Sequence, residues 1–476
     1  MLITQELSRV LPKHSVIQGD EMTRPFECDA LSMYRQKPLA VVLPENIDQI
    51  KQVIQLCKKH NTPIVTRGAG TGLAGGALPI ENSIVLGLSK LNQVKSIDPV
   101  GQTAVVEPGV RNIAISEAVS QYGLYYAPDP SSQIACTIGG NVAENSGGIH
   151  CLKYGLTVHN VASIKMLTID GEELILSRDD DGLGLLALMN GSEGLLGVIT
   201  EVTVKLTPKP KLARLVMAGF DQVRDCANAI SKIIEAGIIP AGLEMMDKFA
   251  IGAAEDFANV GYPRNAQSLL LCELDGDEDA VQQELDTVLH LLSDASTLKV
   301  ANNEQERLSL WQGRKSAFPA VGRLSPDYYC MDGTIPRRYL ADVLEKINHL
   351  SQHYNLRVAN VFHAGDGNLH PLILYDANIE GETEKTEAFG TEILKLCVDM
   401  GGSITGEHGV GIEKLNAMCH QFTPAEIEVF HQIKAVFDSE VLLNPGKAIP
   451  TLHRCAELGS MHVHNGELPH PELERF

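Results

Sequence analysis

The chain has 476 residues, enough for two or three domains with a large buried core, and its 60 acidic against 39 basic side chains leave a formal charge of −21. That balance, with no dense Lys/Arg cluster to track phosphates, excludes nucleic acid as a partner, and no apolar run approaches the roughly 20 residues a membrane-spanning helix needs. The first residues lack a basic stretch followed by an apolar one, so export is not expected. Ten scattered cysteines, none in a Cys-x-x-Cys pair, predict free thiols in a reducing cytoplasm and no iron–sulfur cluster held by this chain.

Residues 1–35 read as a helical lead-in without chemistry. A short apolar strand follows at 39–43, and Pro44-Glu-Asn opens a helix whose apolar positions Ile47, Ile50, Val53, Ile54 and Cys57 keep the helical period. The next strand, 63–66, runs into a loop of Arg67, Gly68, Ala69, Gly70, Thr71 and Gly72 that continues to Gly76. It contains G-x-G-x-x-G at Gly70, Gly72 and Gly75. A dinucleotide fold would need a crossover of about a dozen residues, usually helical. Only six residues separate Ala77 from the strand at 84–88, and one is Pro79. The nicotinamide reading is therefore rejected, while the unobstructed N–H groups of the loop remain a nest for a pyrophosphate. A hairpin at 94–107 and a helix at 112–122 lead to a second loop system, Pro128-Asp129-Pro-Ser131-Ser132 and 137–148, where Thr137 reads as a helix cap.

These segments together resemble the FAD domain of the vanillyl-alcohol oxidase/p-cresol methylhydroxylase (PCMH) flavoproteins. The resemblance rests on Arg67-Gly-Ala-Gly-Thr71, Pro128-Asp-Pro-Ser-Ser132, Thr137-Ile-Gly-Gly-Asn141, Asn145-Ser-Gly-Gly148 and Gly191-Ser-Glu-Gly194. It implies that the 67–72 loop, Pro128, Asp129, Ser131 and Ser132 contact FAD. It implies the same of Gly139 and Gly140, of Asn145, Ser146, Gly147 and Gly148, and of Glu193, Gly194, Gly197 and Ile199. Family members that link FAD covalently carry a histidine where this chain has Thr71, so non-covalent FAD is expected.

From about Lys209 helices and strands alternate, as in an α+β domain. Arg314 is a candidate for a bidentate grip on a carboxylate. Two β-forming runs, 356–362 and 369–375, flank a Gly-Asp-Gly-Asn turn and predict a hairpin with His363 and His370 directly opposed at its inner end. With Glu407 they would make the two-imidazole, one-carboxylate set of an open zinc or non-haem iron site. Asn368 could hold substrate from the turn, and His408 is left to act as a base. Buried imidazoles with satisfied hydrogen bonds are the competing reading.

This second half resembles the FAD-linked oxidase C-terminal domain of the D-2-hydroxyacid dehydrogenases, a group that includes D-lactate, D-2-hydroxyglutarate and glycolate dehydrogenases. The resemblance implies a divalent metal on His363, His370 and Glu407, zinc first, with iron or manganese as alternatives. His408 would be the base and Arg314 the ligand of the substrate carboxylate. Phe318 and Cys330 replace the threonine and lysine that hold a distal carboxylate in the hydroxyglutarate enzymes, so a short substrate is expected. Asn444-Pro-Gly-Lys447 would return to the flavin. The tail from His453, with His462 and His464, resembles that of bacterial glycolate oxidase D subunits.

The implied fold class is α+β: a PCMH-type two-subdomain FAD-binding fold over 36–210, a substrate cap with the metal site over 211–430, and a returning segment plus tail over 431–476. The implied activity is FAD-dependent oxidation of glycolate to glyoxylate, with D-lactate as the alternative substrate. A non-haem iron oxygenase and a non-catalytic flavin-domain scaffold are the rivals of other classes. The partners implied are a second flavin-domain subunit and an iron–sulfur subunit feeding the quinone pool. The chain would be cytoplasmic, reaching the inner membrane only through those partners.

Overall fold

The computed structural model describes residues 2–451 and Cys455, so the histidines of the tail lie outside the described residues. The first half holds two main sheets and a two-stranded one that pairs Leu124–Tyr125 with Thr207–Pro208. Ala40–Val42, Ile84–Gly87 and Ile64–Arg67 form a parallel core, and Val16–Ile17 adds an antiparallel edge. The helix Ile47–Lys59 covers it with Ile50, Val53, Ile54 and Cys57, and Asn46 caps that helix by accepting the Gln49 N–H at 3.0 Å. The second sheet is a five-stranded antiparallel one, ordered Val94–Asp98, Thr103–Val106, Val198–Lys205, Val161–Leu167 and Glu173–Ser177.

Two expectations change here. The strands on either side of the glycine loop are parallel neighbours, Ile64 opposite Ile84, so a crossover does exist. Residues 68–83 make it without any helix, because glycines and Pro79 allow the chain to loop back in irregular backbone. The absence of a helix behind G-x-G-x-x-G still separates this fold from a nicotinamide-binding one. Residues 1–35, in turn, are more than a lead-in: Val16 and Ile17 pair with Val42 and Val41, and the Tyr34 hydroxyl donates to Glu387 of the cap.

The cap is built on an eight-stranded sheet, with Val358–His363 and Asn368–Tyr375 near one edge and Ser268–Gly276 near its middle. Side chains of a strand alternate between faces, and here both faces are covered. Leu270, Cys272 and Leu274 join one apolar cluster with the helices Val223–Glu235, Glu278–Leu291 and Leu340–Tyr354, whereas Leu269 and Leu271 join another with Lys248–Ala258 and Glu304–Lys315. Double coverage explains why these strands read as continuous apolar runs.

The segment around residues 442–444 returns to the first half. Ile64 donates to the Leu442 carbonyl and Asn444 donates to that of Ile64, both at 2.7 Å. The expectation that every cysteine is a free thiol fails, since Cys419 and Cys455 form a disulfide; the other eight are free. Pairing depends on spatial proximity, and a sequence separation of 36 hides it from a search for short motifs.

The returning segment hangs on a buried ion pair. Lys434 Nζ reaches Asp438 at 2.6 Å and the carbonyls of Leu195 and Leu443, while Asp438 accepts the N–H groups of Leu442 and Leu443. Lys434→Met leaves a buried carboxylate unpaired and should cost about 3–5 kcal/mol. Chemical denaturation of the purified protein checks this; an unchanged midpoint would show that the pair does not hold the segment.

Candidate active site

One cleft of about 1490 Å³, open mouth included, runs along the junction of the two halves. Its long arm is walled by Gly68–Gly72, Pro130–Ser132, Gly139, Gly140 and Gly194, all from the first half; its short arm by Arg314, Phe318, His363, His370, Glu407 and His408. In the long arm the helix Ile138–Glu144 starts at Thr137, which gives no side-chain cap. The Thr137 hydroxyl is buried without a partner, and a β-carbon on Gly68 would collide with it. A loop of bare backbone and an orphaned hydroxyl face one another, as a polar, elongated ligand would require.

In the short arm the hairpin register pairs His363 with Asn368, and Val361 with His370. The two imidazoles are therefore diagonal neighbours on one face, not directly opposed as the turn predicted, because the loop between the strands is one pair tighter. They still meet, with ring centroids 5.0 Å apart. Glu407 Oε1 lies 3.3 Å from His363 Nε2 and 3.1 Å from His370 Nε2. Behind them, His363 Nδ1 lies 2.7 Å from Glu244 Oε1, and His370 Nδ1 lies 3.3 Å from the Met331 carbonyl.

That arrangement limits where the protons sit. Glu244 and the Met331 carbonyl only accept, so each Nδ1 carries its hydrogen and each Nε2 presents a lone pair to the Glu407 carboxylate. Acceptors facing acceptors need a positive charge between them, supplied by two further protons or by one cation. Without a cation, burial opposes charge on His363, yet Glu244 outweighs it and holds that imidazole well above its ordinary pKa. Burial likewise opposes charge on Glu407, but His363 and His370 hold it well below the usual carboxylate range. The donor set thus fits a divalent cation, with Glu244 fixing the ring of His363 from behind. A second trio, Cys330, His370 and His408, shares one of the same imidazoles.

His408 stacks on His370 at 5.0 Å, with Nδ1 buried and unpartnered, and burial pulls its pKa down to about 4. Arg314 is 2% exposed and held by Glu244 through Nε at 2.9 Å and Nη2 at 2.6 Å. Glu407 and His408 ride on a turn whose backbone is gripped by Asp332. That carboxylate accepts the N–H groups of Gly406, Glu407 and His408 at 3.0–3.3 Å and the Lys414 ammonium at 2.9 Å.

Comparison with known proteins agrees with this geometry. Residues 38–177 match the model of the FAD binding domain family, and residues 209–448 match that of the FAD linked oxidases, C-terminal domain. The glycolate oxidase subunit GlcD of Escherichia coli is 58% identical over all of this chain and 96% of its own length. The chain belongs to the FAD-linked oxidase family. FAD is accordingly its cofactor. A D-lactate dehydrogenase of Anaerostipes hadrus is 30% identical over 93% of the chain and 96% of its own length. p-Cresol methylhydroxylase with substrate bound shares the fold, with a TM-score of 0.81 at 15% identity over 95% of the chain and 97% of that one.

Within this oxidase, not every residue singled out in sequence reaches the cleft wall. Arg67 turns beneath the loop and donates to the Cys28 carbonyl at 2.8 Å. The Pro128 carbonyl accepts from Asn112, and Asp129 binds His150, so both brace the second loop from behind. Asn145 accepts the Val158 N–H, and Gly148 packs on the Asp129 backbone. Gly147 sits where a β-carbon would lie 2.5 Å from Glu407 Oε2. Asn444 donates to the carbonyls of Gly76 and Glu193. Asn368 lies behind the wall too, its amide against Gly406, so it supports the turn instead of lining the substrate end. A run of motif residues alternates between facing the ligand and bracing the loop, and spacing alone does not tell the two apart. The remaining candidates, among them Thr71, Ser131, Ser132, Ser146, Glu193, Gly197 and Ile199, do line the cleft.

Glu244, Asp332 and Lys414 escaped the sequence reading. Their only signal is a charge inside an otherwise apolar stretch, Gly242–Asp247 for Glu244 and the residues after Asp327–Cys330 for Asp332. Asp332→Ala removes the acceptor from three buried N–H groups, each a bond worth about 1.5–3 kcal/mol when the acceptor is charged. Hydrogen exchange at residues 406–408 should then speed by about ten- to a hundredfold; unchanged exchange would mean the turn is held some other way.

Proposed function

We propose that this chain is the FAD-bearing catalytic subunit of an enzyme that oxidises glycolate to glyoxylate. The observation that carries the reading is the convergence of His363, His370, Glu407, His408 and Arg314 at one end of the cleft whose long arm is the flavin loops. Membership in the FAD-linked oxidases makes it an FAD-dependent hydroxyacid oxidoreductase, and the similarity to the Escherichia coli subunit supports glycolate over D-lactate, which is larger by a methyl group.

When bound, FAD supplies the acceptor for the hydride leaving C2, and a divalent cation on His363, His370 and Glu407 supplies Lewis-acid polarisation of the substrate hydroxyl. Zinc is the expected cation, with iron or manganese as alternatives. Arg314, immobilised by Glu244, has further N–H donors to offer the substrate carboxylate. His408 takes the hydroxyl proton: its imidazole is neutral at physiological pH and Nδ1 has no partner to displace. Phe318 lines the cleft beside His370, with ring centroids 6.5 Å apart, and offers no hydrogen-bond donor to a distal carboxylate, which supports a short acid.

We read the chain as one subunit of a larger enzyme. Similarity to a protein named as a subunit supports this. Among the described residues no helix is long and apolar enough to cross a membrane. Electrons would leave through a second flavin-domain subunit and an iron–sulfur subunit, and the complex would sit in the cytoplasm, meeting the inner membrane through those partners.

Anaerobic mixing with glycolate should bleach the flavin absorbance, with D-lactate slower and dicarboxylic hydroxyacids inert. His408→Ala should keep its FAD and lose about 10²–10⁴-fold in the bleaching rate; fast bleaching by that variant would remove His408 from the role. Acid precipitation gives an independent check. The supernatant should be yellow, as Thr71 offers no covalent link, and should contain one equivalent of metal, whereas Glu407→Ala should release flavin without metal. A colourless supernatant over a yellow pellet, or metal retained by Glu407→Ala, would contradict the assignment.

A further inference from the structure

Glu144 ends the helix Ile138–Glu144 and lines the cleft, yet neither the metal cluster nor the loops that cradle FAD use it. Its carboxyl is wedged between the two halves. Oε1 lies 2.7 Å from where a β-carbon on Gly76 would stand, and Oε2 presses on the corresponding point of Gly409, the residue after His408. Both contacts are tolerated because glycine occupies those positions, Gly409 with φ of +81°. Oε2 is buried and has no hydrogen-bond partner.

Its neighbour Glu193 is in a different state. Glu193 Oε1 lies 3.0 Å from the same Gly409 point, so the two carboxyl groups are adjacent. Both Glu193 oxygens are already committed, accepting the N–H groups of Val410 and Gly411 at 2.7 Å each. Burial raises the Glu193 carboxyl, but those two N–H groups, and then Lys414 and Lys447, oppose the shift. Two adjacent buried carboxyls cannot both ionise cheaply, and the one with N–H donors keeps the charge. Burial, and then the field of Glu193, push the Glu144 carboxyl well above the ordinary range. Of the two carboxyls, Glu144 is thus the one disposed to keep its proton, and it lines the cleft.

From this geometry we infer that Glu144 donates a hydrogen bond to an acceptor atom of the isoalloxazine ring and so helps set the reduction potential of the flavin. Glu144 lines the same cleft as His370 and His408, where the hydride would leave the substrate, and its Oε2 abuts Gly409, one residue on from His408. A buried neutral acid binds an electron-rich reduced ring better than the oxidised one, in the way a preorganised donor favours a developing charge. The inference rests on FAD occupying the cleft, and not on which hydroxyacid is oxidised.

The test is a dye-equilibrated reductive titration of the purified FAD-loaded protein, driven by a chemical reductant so that no substrate enters. Glu144→Ala should shift the midpoint potential downward and alter the flavin absorption envelope, while Glu144→Gln, which keeps a donor, should stay close to the parent. A potential unmoved in Glu144→Ala would overturn the inference, because a mere packing role changes FAD retention alone. A potential raised in both variants would also overturn it, since that is the sign expected on removing a carboxylate anion. Should Glu144→Ala not hold FAD, Glu144→Asp withdraws the same group by one methylene and should shift the potential in the same downward direction. Failure of glycolate to bleach the parent, with these shifts intact, would count against the substrate and leave Glu144 in place.

Discussion

The turn from Thr405 to Gly411 is held by two buried carboxylates that come from opposite halves of the molecule. Asp332 of the cap takes the N–H groups of residues 406, 407 and 408, and Glu193 of the FAD domain takes those of 410 and 411. Five consecutive-register donors on a non-helical stretch would be untenable in a dry junction unless each had an acceptor. Charged acceptors satisfy them and aim Glu407 and His408 into the cleft at the same time. The cost of burying Asp332 is offset by Lys414, itself fully buried, so that turn, carboxylate and ammonium form one unit. The site exists only when the halves are docked, because neither one owns both grips.

The same economy of charge governs the cluster of His363, His370 and Glu407. Glu244 serves two donors at once, the His363 imidazole and the Arg314 guanidinium, and Glu407 faces both imidazoles. Two carboxylates against one guanidinium leave a charge of −1 if both rings are neutral, so a divalent ion would bring the cluster to +1, the sign that suits an anionic ligand. Arg314 does not compete for the ion's place, because it is drawn back by Glu244 and offers its remaining donors toward the cleft. One side chain, Glu244, therefore fixes the position of Arg314 relative to His363 by bonding to both.

Much of this was legible in the sequence, and the reason differs from part to part. Periodic burial on Ile47–Lys59 and the cap at Asn46 are local properties, so the β-α-β start follows from the chain alone. The glycine loop, the hairpin and the Gly-Glu-His-Gly turn are also local. Glu407 joining His363 and His370 is not, as 37 and 44 residues separate it from them, and only the docked sheet brings them together. The diagonal register of the histidines depends on loop geometry that a Gly-Asp-Gly-Asn stretch leaves open. Glu244 was invisible because its strand is buried on both faces, so the period of two that would mark an inward polar residue is lost among apolar neighbours. Cys419 and Cys455 illustrate the same limit for covalent pairing.

A second bridge shows why the cleft keeps its width. His150, on the FAD side, lies 2.9 Å from Asp129 of its own loop and 3.2 Å from Glu273 of the cap, and Glu273 also receives Arg307. Burial opposes charge on His150, but Asp129 and Glu273 together outweigh it and raise its pKa to about 10. An imidazole whose pKa is raised on folding contributes stability that is complete below its unfolded value near 6.5 and is lost as pH rises through the folded one. His150 is consequently a cation across the neutral range, and the junction is clamped by charge under the conditions in which His408, with its depressed pKa, must stay neutral. Two histidines near the same cleft are thus driven to opposite charge states: Asp129 and Glu273 face His150, whose charge joins the halves, whereas burial dominates at His408 and keeps its ring neutral.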